Sequence, residues 1–298
     1  MQKDYDAKAG VIVASFGQRG ILESESGKRI KYQLKGRKLR AVCGDIAQWT
    51  LPNQSNEALV HKIISRGNSL TRPNSRGQEE VIASNLNQII VVSSPKPMVD
   101  LFLIDRFLCA AEILNINAAI IWNKNDLQNN LPEEFHNYSH IGYEVLSASV
   151  KYGNGVERIK RILAEGTSIL VGQSGVGKSS LINRLIPEAY VIVKEISSSN
   201  QEGKHTTTAS IMHKLTSGGR LIDSPGVREF TPIFKDQLKI QTGFREIFAK
   251  ANNCKFKNCL HLREPSCAIK ESVIKSEISQ RRYKSYKRLC NSAIQFKN

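Results

Sequence analysis

The chain has 298 residues, of which 40% are hydrophobic, and its 43 Lys and Arg against 27 Asp and Glu give a net charge of +16. This composition excludes a disordered chain, and the length predicts about two domains. No apolar run reaches the roughly 20 residues that cross a bilayer, and the first residues do not resemble a signal peptide, so we expect a cytoplasmic protein. The positive charge indicates an acidic partner, with RNA, DNA or an anionic membrane as candidates and a diffusely basic surface as the alternative.

The charge is unevenly distributed along the chain. Residues 1–70 carry a net charge of +6, residues 71–231 are neutral, and residues 232–298 carry +10. This partition predicts three units with these boundaries, of which the first and the last are basic.

Short apolar runs separated by glycines fill the first unit. The predicted strands are 11–16, 29–34, 41–43 and 46–49. Several short strands with glycine turns are typical of a small barrel, and we favour a five-stranded oligonucleotide-binding (OB) barrel over another small β-barrel. Residues 69–78 are predicted to be the linker that follows.

Apolar strands alternate with helices in the second unit. Strands are predicted at 88–93, 118–122, 143–146, 168–171 and 220–222, and helices at 101–114, 155–165 and 180–185. This order indicates a parallel sheet in an α/β domain. The third unit is predicted to be helical at its edges, around a cluster of cysteines.

Residues 172–179, G-Q-S-G-V-G-K-S, match the phosphate-binding pattern G-x-x-x-x-G-K-S between a predicted strand and a predicted helix. Glycines let the backbone N–H groups surround phosphate oxygens, and the helix N-terminus adds partial positive charge. Lys178 is predicted to neutralise the β- and γ-phosphates, and Ser179 to bind Mg²⁺. The predicted nucleotide-binding residues here are Gly172, Gln173, Ser174, Gly175, Val176, Gly177, Lys178, Ser179 and Ser180.

A second pattern points to the base. The strand ending at position 122 is followed by Asn123, Lys124, Asn125 and Asp126. An aspartate there can accept two hydrogen bonds from guanine that adenine cannot supply, although this short pattern alone is weak. Ser147 and Ala148 follow the next strand, where a backbone N–H of residues 147–149 could meet guanine O6. Together with the phosphate loop, these residues predict GTP or GDP as the ligand.

Two further elements complete the predicted site. Asp223 opens the pattern D-x-x-G after strand 220–222, which places Asp223 to hold Mg²⁺ through water and Gly226 to sense the γ-phosphate. Three adjacent threonines at 206–208 precede it, and we assign the remaining metal contact to Thr207. A β-prone loop is the alternative for the threonine run.

The expected catalytic residues are Lys178, Thr207 and His205. Val227 occupies the position after D-x-x-G, where many GTPases carry a water-orienting glutamine, so slow unassisted hydrolysis is expected. His205 is the candidate replacement, and the alternative is that His205 only orders its loop.

The third unit contains a metal-binding pattern, formed by Cys254, Cys259, His261 and Cys267. Three thiolates and one imidazole are the set that a closed structural zinc site prefers. The other three cysteines are predicted to be ordinary buried residues: Cys43, Cys109 and Cys290. The alternative for the cluster is that its cysteines are likewise buried without a metal.

Two basic segments are candidates for RNA contacts. Residues 281–288, R-R-Y-K-S-Y-K-R, suit phosphate neutralisation and stacking on bases, and a helix with its tyrosines packed inward is the alternative. A second RNA contact is predicted in the first unit, at residues 28–31, Lys35, Arg37, Lys38 and Arg40.

The base-reading elements precede the phosphate loop, whereas in ordinary small GTPases the phosphate loop comes first. A circular permutation preserves such a site because chain termini often lie close together. This order, with its flanking units, resembles the RsgA (YjeQ) family of ribosome small-subunit-dependent GTPases. The resemblance extends to the strings R-P at 72–73, G-K-H-T-T-T at 203–208, D-S-P-G-V-R-E-F at 223–230 and E-P-S-C-A at 264–268.

The resemblance implies a circularly permuted α/β P-loop GTPase core at 71–231, flanked by an OB-type barrel at 1–70 and a small helical zinc-binding domain at 232–298. It implies a monomer with GTP or GDP, Mg²⁺ and one structural zinc ion, and with no membrane partner. It also implies that the small ribosomal subunit, contacted through its rRNA late in assembly, stimulates GTP hydrolysis. A nucleotide-gated RNA-binding or chaperone protein is the alternative function, whereas a P-loop ATPase or kinase is opposed by Asp126.

Overall fold

The structure is a computed structural model that describes residues 7–52, 55–74, 76–128, 130–186, 210–224, 232–234 and 236–295. Its strands are β1 (Lys8–Phe16), β2 (Arg19–Ser24), β3 (Arg29–Leu34), β4 (Ile46–Thr50), β5 (Ala58–Ile63), β6 (Ser69–Pro73), β7 (Glu79–Ser84), β8 (Gln88–Ser93), β9 (Asn117–Trp122), β10 (Glu144–Ser147), β11 (Thr167–Val171), β12 (Ile211–Lys214) and β13 (Arg220–Asp223). Its helices are α1 (Leu101–Ile113), α2 (Glu133–His140), α3 (Val156–Leu163), α4 (Lys178–Leu185), α5 (Gln237–Thr242), α6 (Arg245–Ala251), α7 (Ala268–Ile274) and α8 (Gln280–Gln295).

The first five strands close into a barrel. They pair in the order β1-β2-β3-β5-β4, and β4 pairs back onto β1 from Lys8↔Trp49 to Val11↔Ile46. Alternate residues such as Leu22, Tyr32 and Val60 are buried inside, as the period of two of a strand requires. The predicted OB-type barrel is confirmed.

Two local predictions in this part of the chain are wrong. Residues 41–43 form no strand, since only Cys43 makes an isolated bridge, to Ala83. Residues 69–78 are not a linker, because β6 pairs with β7 in an antiparallel hairpin. Leu70 and Ala83 are buried on this hairpin, which fixes it against the core.

A parallel sheet forms the middle of the molecule. The strands β10-β9-β8-β11-β13 run parallel, and β12 adds antiparallel to β13. All six residues of β8 are buried, because helices cover both faces of the sheet. On one face, Ile89 and Val91 pack in a core with α1 residues, and on the other, Ile90 and Val92 pack with residues of α3 and α4. This arrangement confirms the predicted α/β core.

Strand β12 connects the parallel sheet to the barrel. It pairs with β13 on one edge and with β1 on the other, at Ala14↔Ile211. Within the described residues, eleven strands therefore form one continuous sheet, in the order β10-β9-β8-β11-β13-β12-β1-β2-β3-β5-β4. None of the helices in the described ranges is both long enough and apolar enough to span a bilayer.

Two of the C-terminal helices, α5 and α8, pack against α1 and against each other. Tyr283 and Tyr286 on α8 are buried, and their hydroxyls donate to the carbonyl oxygens of His261 (2.6 Å) and Leu260 (2.7 Å). The prediction that these tyrosines stack on RNA bases is therefore wrong, and the alternative, a helix with its tyrosines packed inward, is confirmed. The prediction that Cys43, Cys109 and Cys290 are ordinary buried cysteines is also confirmed.

Candidate functional site

The loops that follow the parallel strands meet at one edge of the sheet. The phosphate loop follows β11, and the base-reading residues 123–126 follow β9. Because β8, β9 and β11 run parallel, their carboxyl ends share this edge, where open α/β sheets bind ligands. Motifs that are distant and in permuted order in the sequence are thereby brought together.

Two glycines of the phosphate loop are required by close approaches of the backbone. Gly172 has a φ of +135°, and a Cβ there would lie 2.1 Å from the carbonyl oxygen of Val92. Gly177 has a φ of +98°, and a Cβ there would lie 2.3 Å from Nδ2 of Asn123. Any other residue at either position would clash and adopt a strained backbone, so the loop can approach its neighbours only with glycine.

The side chains of Lys178 and Gln173 hold the phosphate loop in place. Lys178 Nζ donates to the carbonyl oxygens of Gly172 (2.6 Å) and Gln173. The Gln173 side chain accepts from the backbone N–H of Asp100 (3.1 Å) and donates to the carbonyl oxygen of Met98 (3.1 Å). The loop is thereby fastened to the segment that leads into α1.

The first two base-reading residues bond to the phosphate loop itself. Asn123 is buried, and its Nδ2 donates to the carbonyl oxygen of Val176 (2.9 Å). Lys124 Nζ donates to the carbonyl oxygens of Gly175 (2.6 Å) and Lys96 (2.8 Å). These two residues therefore set the distance between the loop that would hold phosphate and the loop that would read the base.

Asp126 lies in a short 3₁₀ turn at 125–127, and its carboxylate is oriented by a serine. Ser149 Oγ donates to Asp126 Oδ1 (2.5 Å), whereas Oδ2 has no hydrogen-bond partner among the described residues. Asn125 Nδ2 donates to Ser147 Oγ (3.1 Å). The turn is thus pinned to the segment after β10, and the aspartate keeps acceptor capacity for a ligand.

In the segment after β10, the backbone N–H groups that we predicted to meet guanine O6 bond within the protein instead at residues 148 and 149. The N–H of Ala148 donates to the carbonyl oxygen of Trp122 (2.8 Å), and that of Ser149 to Asn154 (3.0 Å). The N–H of Val150 donates to Asn123 Oδ1 (3.2 Å), so three successive N–H groups are engaged inside the protein. Ser149, Val150 and Lys151 line the cavity between the loops, and the sequence spacing gave no signal for the last two.

Two neighbouring cavities occupy the space between these loops. The larger, of about 610 Å³, is lined by Asn123, Lys124, Asp126, Leu127, Ser149, Val150, Lys151, Gly177, Ser180, Asn183 and Arg184. The smaller, of about 270 Å³, is lined by Lys124, Ser174, Gly175, Gly177, Lys178, Ser179 and Ser180. They share three lining residues, so the cavity beside the acceptor carboxylate of Asp126 adjoins the cavity beside the cationic, N–H-rich phosphate loop. Among the lining residues, Asn183 and Arg184 on α4 were not predicted.

Two of the predicted Mg²⁺ ligands, Ser179 and Asp223, belong to the described residues. Ser179 lies in the first turn of α4, and Asp223 ends β13, which is the neighbour of β11 in the sheet. The remaining predicted residues lie outside the described residues: His205, Thr206, Thr207, Thr208, Gly226 and Val227.

The four residues of the predicted metal pattern come together in the C-terminal unit. Cys254, Cys259, His261 and Cys267 place their ligand atoms within 4.8 Å of one another. Nδ1 of His261 lies 3.5 Å from Cys254 Sγ and 3.3 Å from Cys267 Sγ, and these two sulfurs are 3.8 Å apart. Ligands at the usual bond lengths around a tetrahedral zinc ion lie about 3.5–3.8 Å apart, so the cluster is compatible with zinc.

Burial shifts the pKa values of two of these residues. It raises the pKa of Cys259 to about 12, which keeps the thiol protonated until a bound cation displaces the proton. It lowers the pKa of His261, which favours the neutral imidazole that a metal needs. The surrounding loop is ordered by Glu264, whose carboxylate accepts from the N–H groups of Leu260 (2.8 Å), Leu262 (2.9 Å) and Arg263 (3.0 Å). Burial alone would raise the pKa of Glu264, but these hydrogen bonds outweigh it and lower the pKa.

Comparisons with known proteins agree with this geometry. The sequence model of the RsgA GTPase family matches residues 63–232. A protein of Haemophilus influenzae (strain 86-028NP) named small ribosomal subunit biogenesis GTPase RsgA is 38% identical over 98% of this chain and 87% of its own length. A protein of the same name from Actinobacillus pleuropneumoniae serotype 5b (strain L20) is 37% identical over 98% of this chain and 88% of its own.

Two solved structures share the fold along nearly the whole chain. The crystal structure of YjeQ from Thermotoga maritima has a TM-score of 0.74 at 27% identity and covers 97% of this chain and 99% of its own. The crystal structure of YloQ, a circularly permuted GTPase, has a TM-score of 0.72 at 27% identity and covers 99% of this chain and 98% of its own. The permuted motif order, the shared fold and the family match over more than half of the sequence lead to one conclusion: this chain belongs to the RsgA GTPase family.

Proposed function

We propose that this chain binds GTP with Mg²⁺ at the edge of its parallel sheet and hydrolyses it while bound to the small ribosomal subunit. The observation that carries the proposal is the pair of adjoining cavities between Asp126 and the phosphate loop, since a guanine base and a triphosphate need these two groups at opposite ends of one site. The family membership adds the GTPase reaction.

Each part of the site has a proposed role. Asp126 accepts from the guanine base, with Ser149 fixing the carboxylate. Because the N–H groups of residues 148, 149 and 150 are engaged, we place the N–H that meets guanine O6 at Lys151. Lys178 leaves the loop carbonyls to neutralise the β- and γ-phosphates. We retain the other predicted ligands of the loop, with Ser179, Asp223 and Thr207 around Mg²⁺, Gly226 at the γ-phosphate and His205 as the catalytic candidate.

The two ends of the chain supply the proposed grip on RNA. The segments 1–70 and 232–298, which we propose as the barrel and the zinc-binding domain, hold the whole excess of positive charge, and the proposed GTPase domain 71–231 is neutral. The relatives are named for biogenesis of the small ribosomal subunit, whose rRNA is the matching polyanion. We propose a cytoplasmic monomer that holds one structural zinc ion in the Cys254 cluster.

The reaction is tested by measuring GTP hydrolysis by the purified chain alone, with small subunits and with large subunits. We expect slow turnover by the chain alone and stimulation by small subunits only. Val227 cannot orient the attacking water molecule, so we expect that binding to the small subunit brings a water-orienting group into place. Binding to small subunits without any stimulation would instead support a nucleotide-gated RNA-binding protein.

The choice of nucleotide is tested by Asp126→Asn. The amide cannot accept from guanine N1–H and the 2-amino group together, so we expect GTP affinity to fall roughly 5- to 150-fold, the equivalent of about 1–3 kcal/mol for one such contact. Affinity for xanthosine triphosphate should rise, because the amide can donate to the 2-oxo group of xanthine. Competition of GTP, XTP and ATP against a fluorescent GDP analogue measures both changes.

Ser149→Ala is the matched control for that experiment. It removes the hydroxyl that donates to Asp126 but leaves the carboxylate, so GTP affinity should fall moderately with no gain for XTP. An Asp126→Asn chain with unchanged preference for guanine would contradict the assignment.

A further inference from the structure

The zinc-binding loop of the C-terminal unit presents an aromatic side chain to solvent. Phe256 lies between the predicted ligands Cys254 and Cys259 and is 40% exposed. Its neighbours Lys255, Lys257 and Asn258 are exposed as well. Since Tyr283 and Tyr286 are buried, this is a different aromatic position from the one that the basic run at 281–288 predicts.

The loop holds Phe256 in a defined place. The N–H of Cys259 donates to the carbonyl oxygen of Phe256 (3.1 Å), and the N–H of Cys254 donates to Ala251 (3.1 Å). Behind the loop, Tyr286 on α8 donates to the carbonyl oxygen of Leu260. The ring therefore stands on a short loop that is anchored at both ends, so little conformational freedom is lost when the ring meets a partner.

The charges around the ring favour an anionic partner. Lys255 Nζ lies 5.8 Å from the centre of the Phe256 ring. Residues 254–275 contain five basic residues (Lys and Arg) and two glutamates. The carboxylate of one glutamate, Glu264, is already bonded to backbone N–H groups. An aromatic ring flanked by lysines combines stacking with phosphate neutralisation, which is how proteins bind unpaired nucleotides.

We infer that the tip of the zinc loop, Lys255-Phe256-Lys257, binds a single unpaired RNA nucleotide: Phe256 stacks on the base and the two lysines neutralise the adjoining phosphates. This inference rests on the proposed function, because it takes RNA as the partner. One ring accommodates one base, and a base inside a duplex is not available to it, so the site selects loops, bulges and single strands.

The test compares binding of full-length, zinc-loaded variants to a short single-stranded RNA, to the fully paired duplex of the same sequence, and to small ribosomal subunits. For Phe256→Ala we expect single-strand affinity to fall between about 5-fold and 150-fold, the usual effect of losing one stacked base. Phe256→Trp should retain affinity, and Phe256→Leu should lose it although it is apolar. Duplex binding should be equal for the wild type and these three Phe256 variants.

Two further variants separate stacking from charge and from general apolar contact. Phe248→Ala removes a side chain that is 54% exposed on α6 of the same unit, and should leave single-strand affinity unchanged. Lys255→Ala should reduce the slope of log affinity against log salt by about one, because one phosphate contact is lost. Zinc content of one ion per chain in every variant shows that the loop is intact.

Three results would overturn the inference. The first is a Phe256→Ala chain that binds the single strand as tightly as the wild type does. The second is an equal loss for Phe256→Ala and Phe248→Ala. The third is loss of binding to the subunit alone, with the naked RNA unaffected, which would assign Phe256 to a protein contact. A wild-type chain that binds neither RNA nor subunits would instead defeat the proposed function.

Discussion

Replacing Cys259 by serine is expected to release zinc and unfold the C-terminal unit. A hydroxyl is a much poorer zinc ligand than a thiolate, and binding of structural zinc supplies on the order of 10 kcal/mol of folding free energy in small zinc domains. The unit has short helices, α5 to α7, and the loop that carries the cluster also supports α8 through Tyr283 and Tyr286. Loss of the ion should therefore also destabilise α8.

Metal analysis of the purified chain and hydrogen exchange of residues 254–295 measure this effect. The wild type should hold one zinc ion and protect these amides, and Cys259→Ser should do neither. Acid should act in the same direction, because the thiolates bind protons in competition with the metal as the pH falls. Cys290→Ala is the control, since Cys290 is equally buried but lies outside the cluster, and it should keep its zinc. A Cys259→Ser chain with full zinc content would contradict the assignment.

Replacing Arg282 by methionine is expected to destabilise the chain by about 3–5 kcal/mol, the usual cost of leaving a buried charge without its partner. Arg282 is 2% exposed and bonds to two carboxylates, Asp105 (2.7 Å) on α1 and Glu246 (2.8 and 3.0 Å) on α6. Asp105 is fully buried and also accepts from Arg281 and Tyr138. Burial alone would lower the pKa of Arg282, but the carboxylates outweigh it and hold the pKa well above its ordinary value.

The urea midpoint of unfolding, followed by a probe in each unit, checks this prediction. Arg281→Met should cost less than Arg282→Met, because Arg281 is more exposed and Arg282 still balances Asp105. The double variant Glu246→Gln with Arg282→Met should be more stable than Arg282→Met alone, because Asp105 keeps Arg281 whereas Glu246 is the carboxylate that loses its ion-pair partner. Equal midpoints for Arg282→Met and the wild type would show that this buried pair does not hold the two units together.

The parts of the fold that could be predicted from the sequence are those encoded locally. The phosphate loop and its flanking strand and helix lie within one short stretch, and the alternation of β8 to β11 with helices follows from apolar runs of the right length. The motif order alone was enough to indicate the permutation. In the same way, the zinc pattern depends on spacing within fourteen residues, from Cys254 to Cys267.

Predictions failed where contacts across the fold outweigh local signals. The polar turn residues at 74–78 suggested a linker, but the buried Leu70 and Ala83 on either side make a hairpin. The tyrosines of 281–288 read as an RNA surface, and only the position of α8 against α1 shows that they are buried. At the base-reading segment, the cavity begins at Ser149 rather than at Ser147, a shift smaller than the precision of a predicted strand end.

The bond between Asp105 and Arg282 has a consequence for how the chain is made. The two residues are 177 positions apart, and both belong to one buried cluster. At synthesis rates of 5–20 residues per second, Asp105 is translated roughly 9–35 s before its partner arginine. During that interval, Asp105 lacks its arginine partners and the part of α1 that contacts α5 and α8 is uncovered, so the packing around α1 is completed only when α8 has been synthesised. A prematurely terminated chain that lacks α8 would therefore expose this part of α1 and be open to proteolysis.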